Sequence, residues 1–560
     1  MTSWPLIASA LLMLGAWLVS NHYPPWVTAH SELLAALALG ALWLGALSAG
    51  KRRRIALPAS AVFLLAMAAV PLLQTLAGPI FFFGDGWIAS LYLAATALAV
   101  VAAAHAAKSA GTALAVGGAW TLLTAALLSC AIAWVQRFDL DAGPLVLHIA
   151  PVKLGRAPFA NLAQPNQLAS LLALGLAGLW FLYERGRIAR RWAVALALLL
   201  CVSLAMTLSR TPVLMFFVGA LALWLAQRRW TVLTRAWVVA PLAAVWALAF
   251  VAWPRVIEAV HLAPGASVAN RMQAGPRTVI WSQLWDAVWL QPWTGFGWNQ
   301  VSVAQVAVAA NHPLSRYVEH SHNLLLDLLL WNGVPLGLLI IVFSGLWLWR
   351  RVREVRDPQG LFGLLVVGLL LAHAMVEFPL DYLYFLVPFG VALGLVEASR
   401  QRAPRLSISA AGGWAVAVVF FGVTAWAAVD YWRVEDAYRE MRFTVARIGR
   451  PMVTEPPPLL ATQFTQLAAF HRFSLFTPHP GMSPQEVDWM RKVAHRFAYA
   501  PSLYRYALAQ AWSGDVEGAK LTLRQMRQLH GERPHDAAQR ELREMVQGEH
   551  PELRGLLLAD

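Results

Sequence analysis

Long apolar runs separated by short polar stretches make up most of the first 430 residues. About 20 apolar residues, wound as a helix, cross the ~30 Å hydrocarbon core of a bilayer. Thirteen runs reach that scale, with centres near residues 12, 40, 64, 97, 123, 174, 200, 219, 244, 336, 369, 389 and 418. The pairs near 200/219 and 369/389 are split by very short turns. The pattern predicts an all-α polytopic membrane protein with about 13 transmembrane helices, a membrane domain over 1–429. Two longer segments interrupt it, at 136–165 and 254–321. Connections of that length are usually functional when they are ordered.

Beyond residue 430 the apolar runs stop and charge of both signs appears. This tail, 430–560, contains a proline break, Glu455-Pro456-Pro457-Pro458. From Tyr504 to Leu523 it reads as two amphipathic helices turning at Gly514, which resembles one tetratricopeptide unit. One unit builds no solenoid, so the tail is expected to be a small helical domain.

Charge orients the scheme. Lys and Arg cluster at Lys51–Arg54, Lys108, Arg185–Arg191, Arg228–Arg235, Arg350–Arg356 and Arg400–Arg405, nineteen in all, each cluster in an alternate loop. The short loops near residues 25, 80 and 380 carry none. Basic loops stay in the cytoplasm, so the N-terminus is expected there. The tail and both longer loops then face outward.

Composition agrees with the pattern. The chain is 59% apolar and 13% charged, with a mean hydropathy of +0.54. The net charge of +14 comes mostly from clusters between apolar runs, which is membrane anchoring and excludes a nucleic-acid face. Cys130 and Cys201 both lie in apolar runs and offer neither a disulfide framework nor a thiolate metal site. The run Trp4–Val19 lacks a basic leader and a small-residue cleavage site, so it is expected to be a retained first helix.

Polar residues at the outer ends of spans are the candidate chemistry. Glu319-His320-Ser321-His322-Asn323 precedes Asp327 where the long loop re-enters the membrane. An imidazole there suits proton abstraction from a hydroxyl, while the same residues also suit helix capping. Arg210, in a tight outer turn, and Arg277, opening an amphipathic helix, present guanidinium forks suited to a diphosphate or to interfacial snorkelling. Asn161, Gln164, Asn166 and Gln167 lead into the sixth span, where amides bind sugar hydroxyls or, for Asn166, cap the helix. His373 lies within a span, and Glu377, Asp381 and Tyr382 follow in the next outer turn. The 136–165 segment carries an Asp-x-Asp pair, Asp139-Leu140-Asp141, but the chain has no phosphate-binding glycine loop, no dinucleotide fingerprint and no His/Cys metal-ligand spacing. That pattern favours a metal-independent mechanism without a cofactor.

Several motifs together carry a resemblance. They are His322-Asn323 followed after nine residues by Gly333, Gln164-Pro165-Asn166-Gln167-Leu168-Ala169, Ser209-Arg210, and Arg277-x-x-x-Trp281 with Pro292-x-x-Gly295-x-Gly297. In this order the set resembles the bacterial O-antigen ligase/polymerase superfamily, although Gly333-Val-Pro-Leu-Gly337 is one residue longer than the usual spacing and Gln164 replaces an Asn. Asn21-His22-Tyr23-Pro24-Pro25-Trp26, Glu377-Phe-Pro-Leu-x-Tyr382-x-Tyr384-Phe385 and the outer tail are similar to its PglL-type protein O-oligosaccharyltransferases. The resemblance implies a GT-C-like fold in the bacterial inner membrane with its site facing the periplasm. It implies glycan transfer from undecaprenyl diphosphate to Ser or Thr of a pilin-like protein. His322 would be the base, Arg210 and Arg277 would hold the diphosphate, and Asn166, Gln167, Glu319, His320, Asn323 and Tyr382 would contact glycan or acceptor. The same motifs also fit a lipid A core ligase or a glycan polymerase. A lipid-linked sugar transporter would show inverted repeats or broken midplane helices, and the sequence shows neither.

Overall fold

The structure is a computed structural model, and it describes residues 4–49, 54–152, 156–229, 232–259, 277–312, 316–400, 406–446 and 459–557. Lys51–Arg53, Arg402, Arg405, residues 260–276 of the long loop and the Glu455–Pro458 break lie outside the described residues.

Each predicted span centre falls inside a helix. In order these are α1 Trp4–Leu18, α2 Ala29–Ala49, α3 Ala59–Ala77, α4 Phe83–Ala110, α5 Ala113–Phe138, α6 Pro165–Glu184, α7 Arg190–Met206, α8 Pro212–Arg229 and α9 Val239–Ala259. After the long loop come α12 Leu324–Glu354, α13 Pro358–Ala374, α14 Leu383–Ala398 and α15 Ala410–Val445. The loop itself holds α10 Arg277–Leu290 and α11 Val301–Ala309. Among the described residues, eight helices are long and apolar enough to cross a membrane, while α1, α13 and α14 are apolar but shorter. The chain is an all-α membrane protein with one exception, a two-stranded antiparallel ribbon of β1 Arg54–Leu57 and β2 Leu406–Ser409. Such short strands between spans carry no run long enough to announce themselves.

The chain divides into two compact units. The first comprises residues 1–68, 91–273 and 345–428. Small residues let its helices approach closely, as they do in membranes generally. A Cβ on Gly175 or Gly178 of α6 would lie 2.3 Å from the Ala126 methyl or 2.6 Å from the Ala119 carbonyl of α5. Gly390 and Gly394 of α14 meet Ala99 and Ala103 of α4 in the same way. Helix starts follow from local chemistry: Pro358 opens α13 while the Asp357 carboxylate accepts the amides of Gln359 and Gly360.

The second unit comprises residues 69–90, 274–344 and 429–560. It joins the long loop and the start of α12 to the tail helices α16 Thr465–Leu475, α17 Pro484–Arg496, α18 Ala500–Trp512, α19 Val516–His530 and α20 Glu532–Gln547. The expected turn at Gly514 is present, with φ of +88°. Asp515 caps the next helix through Gly518 N. Ser483 and Glu486 form a reciprocal capping box at the start of α17.

Long-range hydrogen bonds obey a parity rule. Number the gaps after the thirteen apolar helices in chain order. In the first unit the even gaps bond to one another: β1 in gap 2 pairs with β2 in gap 12, and Ser60 donates to Glu397. Arg400 bridges Glu354 and Glu397, while Glu184 in gap 6 accepts the amides of Leu233 and Thr234 in gap 8. The odd gaps do likewise. His22 in gap 1 bonds Asn161 O in gap 5 at 2.9 Å, and Asn166 donates to Glu377 in gap 11 at 2.6 Å. In the second unit, Asp85 in gap 3 bonds Gln300 in gap 9 and Arg496 in the tail. A pairing of this kind is what successive crossings are expected to give. Alkaline phosphatase fusions after residues 300 and 450 should therefore give one activity state, and fusions at 189 and 354 the opposite one. A fusion at 354 that matched the one at 300 would break the alternation.

Candidate active site

The His322 segment is built from its backbone outward. Trp281 of α10 donates its indole N–H to the Ser321 carbonyl at 2.8 Å. The Ser321 amide donates to the buried Asp327 carboxylate at 3.0 Å, and the Ser321 hydroxyl donates to Asn323 O at 2.9 Å. Asn323 Oδ1 accepts the amides of Leu325 and Leu326, so Asn323 caps α12. The capping function weighed for these residues thus belongs to Asn323. His322 is left half-buried with φ of +58°. That left-handed conformation costs a non-glycine residue on the order of 1–2 kcal/mol. Such strain persists only where the surroundings impose it, and it concentrates at functional sites.

The preceding stretch is tied down just as firmly. Gln305, fully buried, donates to Gln283 Oε1 and Arg316 O and accepts the Val318 amide. Tyr317 N donates to Leu529 O in the tail at 3.2 Å. The Tyr499 and Tyr317 hydroxyls both donate to Glu319, at 3.1 and 3.4 Å. Burial first, then the Glu319 charge, pushes both phenols above their ordinary range, so they remain neutral donors. Behind them Arg496 forms two 2.9 Å bonds with Asp85, side chains 12% and 2% exposed. His320 is half-buried one residue beyond Glu319, and Arg277 is half-buried at the first position of α10.

The glycines of the motifs serve a crossing. Gly333 interrupts α12 with φ of +72°. The backbone of Pro292–Gly297 passes so close that a Cβ on Gly295 would lie 2.5 Å from Gly333 N. Val334 N donates to Pro292 O, and Phe296 N to Leu330 O, both at 2.7 Å. A side chain at either glycine would push two backbones apart.

In the first unit, Gln164 is the residue before α6 and Asn166 lies within its first turn. Asn166 therefore does not cap; it donates to the buried Glu377, which also receives Gln164 at 3.4 Å. Gln167 bonds Gln164 and the buried Tyr384 hydroxyl, and Tyr384 stacks on Tyr382 at 5.1 Å. His373, buried within α13, shares a 2.5 Å bond with Ser170 through Nδ1. Arg210 is exposed in the turn between α7 and α8, after Leu208 at φ +51°. Sequence reasoning missed Asp85, Glu32 and Tyr499. Glu32 is buried and accepts the Leu383 amide at 2.6 Å. The available signal was a lone acid in the first turn of an apolar helix, present at both Glu32 and Asp85. Among the described residues one carboxylate–imidazole group, Glu532, His535 and Asp536, has atoms close enough for a cation. It lies on tail helix α20, where Arg527 pairs with Glu532.

Known families divide the chain among them. The family described as "O-Antigen ligase" matches residues 195–341, which contain Arg210, Arg277 and His322. "Protein glycosylation ligase" matches 158–183, with Asn166 and Gln167. "Virulence factor membrane-bound polymerase, C-terminal" matches 361–544, with Tyr382 and most of the tail. A curated "General O-oligosaccharyltransferase" of Acinetobacter baylyi is 27% identical over 94% of this chain and 92% of its own. The chain is similar to PglL-type O-oligosaccharyltransferases. A second relative, the "ComP-specific O-oligosaccharyltransferase" of the same organism, is also 27% identical, over 71% of this chain and 72% of its own.

The Asp85–Arg496 pair offers a direct check on how the tail supports the His322 segment. Arg496→Ala leaves a buried carboxylate without its counter-charge, which typically costs ~3–5 kcal/mol. A marked fall in melting temperature is expected, with partial recovery when Asp85→Leu is added. An unchanged melting temperature would show that the pair holds nothing in place.

Proposed function

We propose that the enzyme transfers a preassembled glycan from undecaprenyl diphosphate to Ser or Thr hydroxyls of periplasmic, pilin-like proteins. Its relatives are oligosaccharyltransferases, so the reaction class is glycosyl transfer from a lipid-linked oligosaccharide to protein. The site faces the periplasm of the inner membrane, with the amino terminus in the cytoplasm and thirteen crossings. Support comes from placement. Arg210, Arg277, His322 and Tyr382 lie in odd gaps and Asn166 at the helix end that borders one, whereas the basic clusters lie in even gaps or at the helix ends that border them.

The observation that carries the residue assignment is the left-handed His322, framed by Trp281, Ser321 and Asp327. Its imidazole takes the proton of the acceptor hydroxyl as that oxygen attacks the anomeric carbon. The bond from that carbon to the diphosphate breaks, and the lipid diphosphate leaves with the electron pair. Arg210 and Arg277 hold the growing negative charge, the role a metal plays in other transferases. Asn166, Gln167 and Tyr382 are assigned to glycan or acceptor contacts, as are Glu319, His320 and Asn323. The tail docks the acceptor segment as well as holding the His322 loop. Bulk membrane lipid surrounds the spans, and nucleic acid plays no part.

Co-expression with a lipid-linked glycan pathway and a pilin-like acceptor tests the whole reading. Glycosylated pilin is expected; glycan on lipid A core with none on protein would make the enzyme a ligase. Within that assay, His322→Ala should lower transfer ~10²–10⁴-fold while the protein stays folded in the membrane. His320→Ala should do less, and the reverse order would move the base to His320. Arg277→Lys keeps the charge but loses the two-pronged geometry, so a clear loss is expected, and full activity would reduce Arg277 to an anchor. Purified enzyme should work in EDTA. Inactivation by chelator with rescue by Mg²⁺ or Mn²⁺ would remove the arginines as the counter-charge.

A further inference from the structure

Four tryptophans recur at four-residue spacing along α10 and just past its end: Trp281, Trp285, Trp289 and Trp293. Arg277 is one step earlier in the same series. In a helix of 3.6 residues per turn this spacing keeps Arg277 to Trp289 along one slowly drifting stripe. The buried face, Ile280, Gln283, Leu284, Ala287 and Val288, adjoins the Arg277–Trp281 end of the stripe, which drifts away from it towards Trp289. The stripe is not uniform along its length. Trp281 is half-buried and bonds the carbonyl of Ser321, the peptide that enters His322. Beyond it Trp285 is 48% exposed, Trp289 57% and Trp293 80%. The Trp285 and Trp289 rings meet edge to face at 5.9 Å. The apolar surface therefore starts beside the proposed base and runs away from it. A row of indoles this exposed is covered by apolar matter when the protein is in its membrane.

We infer that Trp285, Trp289 and Trp293 form the track for the polyprenyl chain of the donor lipid, with Arg277 at its head. The inference rests on the reading that Arg277 holds the donor diphosphate. A diphosphate joined to a long unsaturated hydrocarbon needs a cation at one end and an extended apolar strip leading from it. From Arg277 to Trp289 the helix rises ~18 Å, a length that a chain of several prenyl units spans and a one- or two-unit chain does not. Indole faces suit such a chain because they offer broad, rigid contact with little rotamer freedom to lose. Ordinary phospholipid lacks the pairing of diphosphate head and polyprenyl chain, so its claim on the strip is weaker than the donor's. The track makes donor recognition depend on chain length, whatever glycan the lipid carries.

The test uses the full-length enzyme in detergent micelles and a polyprenyl diphosphate bearing a photoreactive group in its hydrocarbon chain. Labelling is expected on the peptide containing Trp285–Trp293. Unlabelled polyprenyl diphosphate should suppress it, and excess phospholipid should not. Labelling elsewhere, or equal suppression by phospholipid, overturns the track. In the kinetic arm, donors with one glycan on long or short prenyl diphosphates are compared in wild type and in a Trp285→Ala/Trp289→Ala variant. The variant should raise KM for the long-chain donor about tenfold or more, with kcat and the short-chain KM kept. Equal losses on both donors would mean that the tryptophans support the fold and bind no chain. Track labelling without glycan transfer to any acceptor would instead sink the enzymatic reading and leave the lipid site standing.

Discussion

Hydrocarbon offers no hydrogen bonds, so a polar group at the end of a membrane helix must find its partner in the protein. In the first unit that requirement organises the ends of the helices around α6. Asn161 is almost fully buried and holds Leu18 O, His148 O and the Ala150 amide. Gln136 holds Ala150 O, Ala160 O and two further amides. Two amide side chains thus pin His148, Ala150 and residues 159–161 against the ends of α1 and α5. The chain then enters α6 with Asn166 and Gln167 in fixed positions, answered by Glu377 and Tyr384. Every polar group in this chain of contacts serves as a partner for another, so the loss of one orphans the next.

The second unit meets a different constraint, since its tail helices are amphipathic, with charged residues on their exposed faces. The tail helices bury their own apolar faces, Leu503, Leu508, Leu523 and Leu542 among them. The tail's polar groups reach outward to the segment before His322. Tyr499 and Arg496 come from one end of a helical hairpin, and Leu529 from the end of the next. Together they fix Glu319, Asp85 and Tyr317. A tail that only docked an acceptor would have no need of these bonds. Support of the loop and docking are compatible, because the hairpin surfaces facing away from the loop remain available. The two functions are separable by surface substitution and inseparable by truncation.

Much of this was legible because it is periodic or local. Apolar runs placed thirteen helices, alternating charge predicted the parity that the cross-loop bonds obey, and Gly514 marked a real turn. The motifs singled out His322, Arg210 and Arg277 as candidates. What stayed hidden was pairing at a distance. Asp85 and Arg496 are 411 residues apart, and neither residue type in isolation names its partner. The β1–β2 ribbon joins two four-residue strands across most of the chain, too short for alternation to register. Asn166 was misleading for a local reason. It follows a proline at the helix start, where an amide reads as a cap, but the cap position belongs to Gln164 and the side chain is drawn to Glu377 instead.

The spacing within the motifs has a geometric reason. α10 is fastened to the chain around α12 at two points, Trp281 to Ser321 and Pro292 to Val334 beside Gly333. From Trp281 to Pro292 is eleven residues and from Ser321 to Val334 thirteen, ~17 and ~20 Å at a helical rise. Similar rises between the two ties let the segments run side by side in the same direction. The far tie demands glycine twice, because two backbones touch there. The near tie grips the peptide before His322. Two fixed points also remove the helix's freedom to rotate, which is why Ile280, Leu284 and Val288 stay buried and Trp285 and Trp289 stay turned out. A residue inserted between either pair of ties would therefore shift His322 and rotate the tryptophan stripe together, although it touched neither.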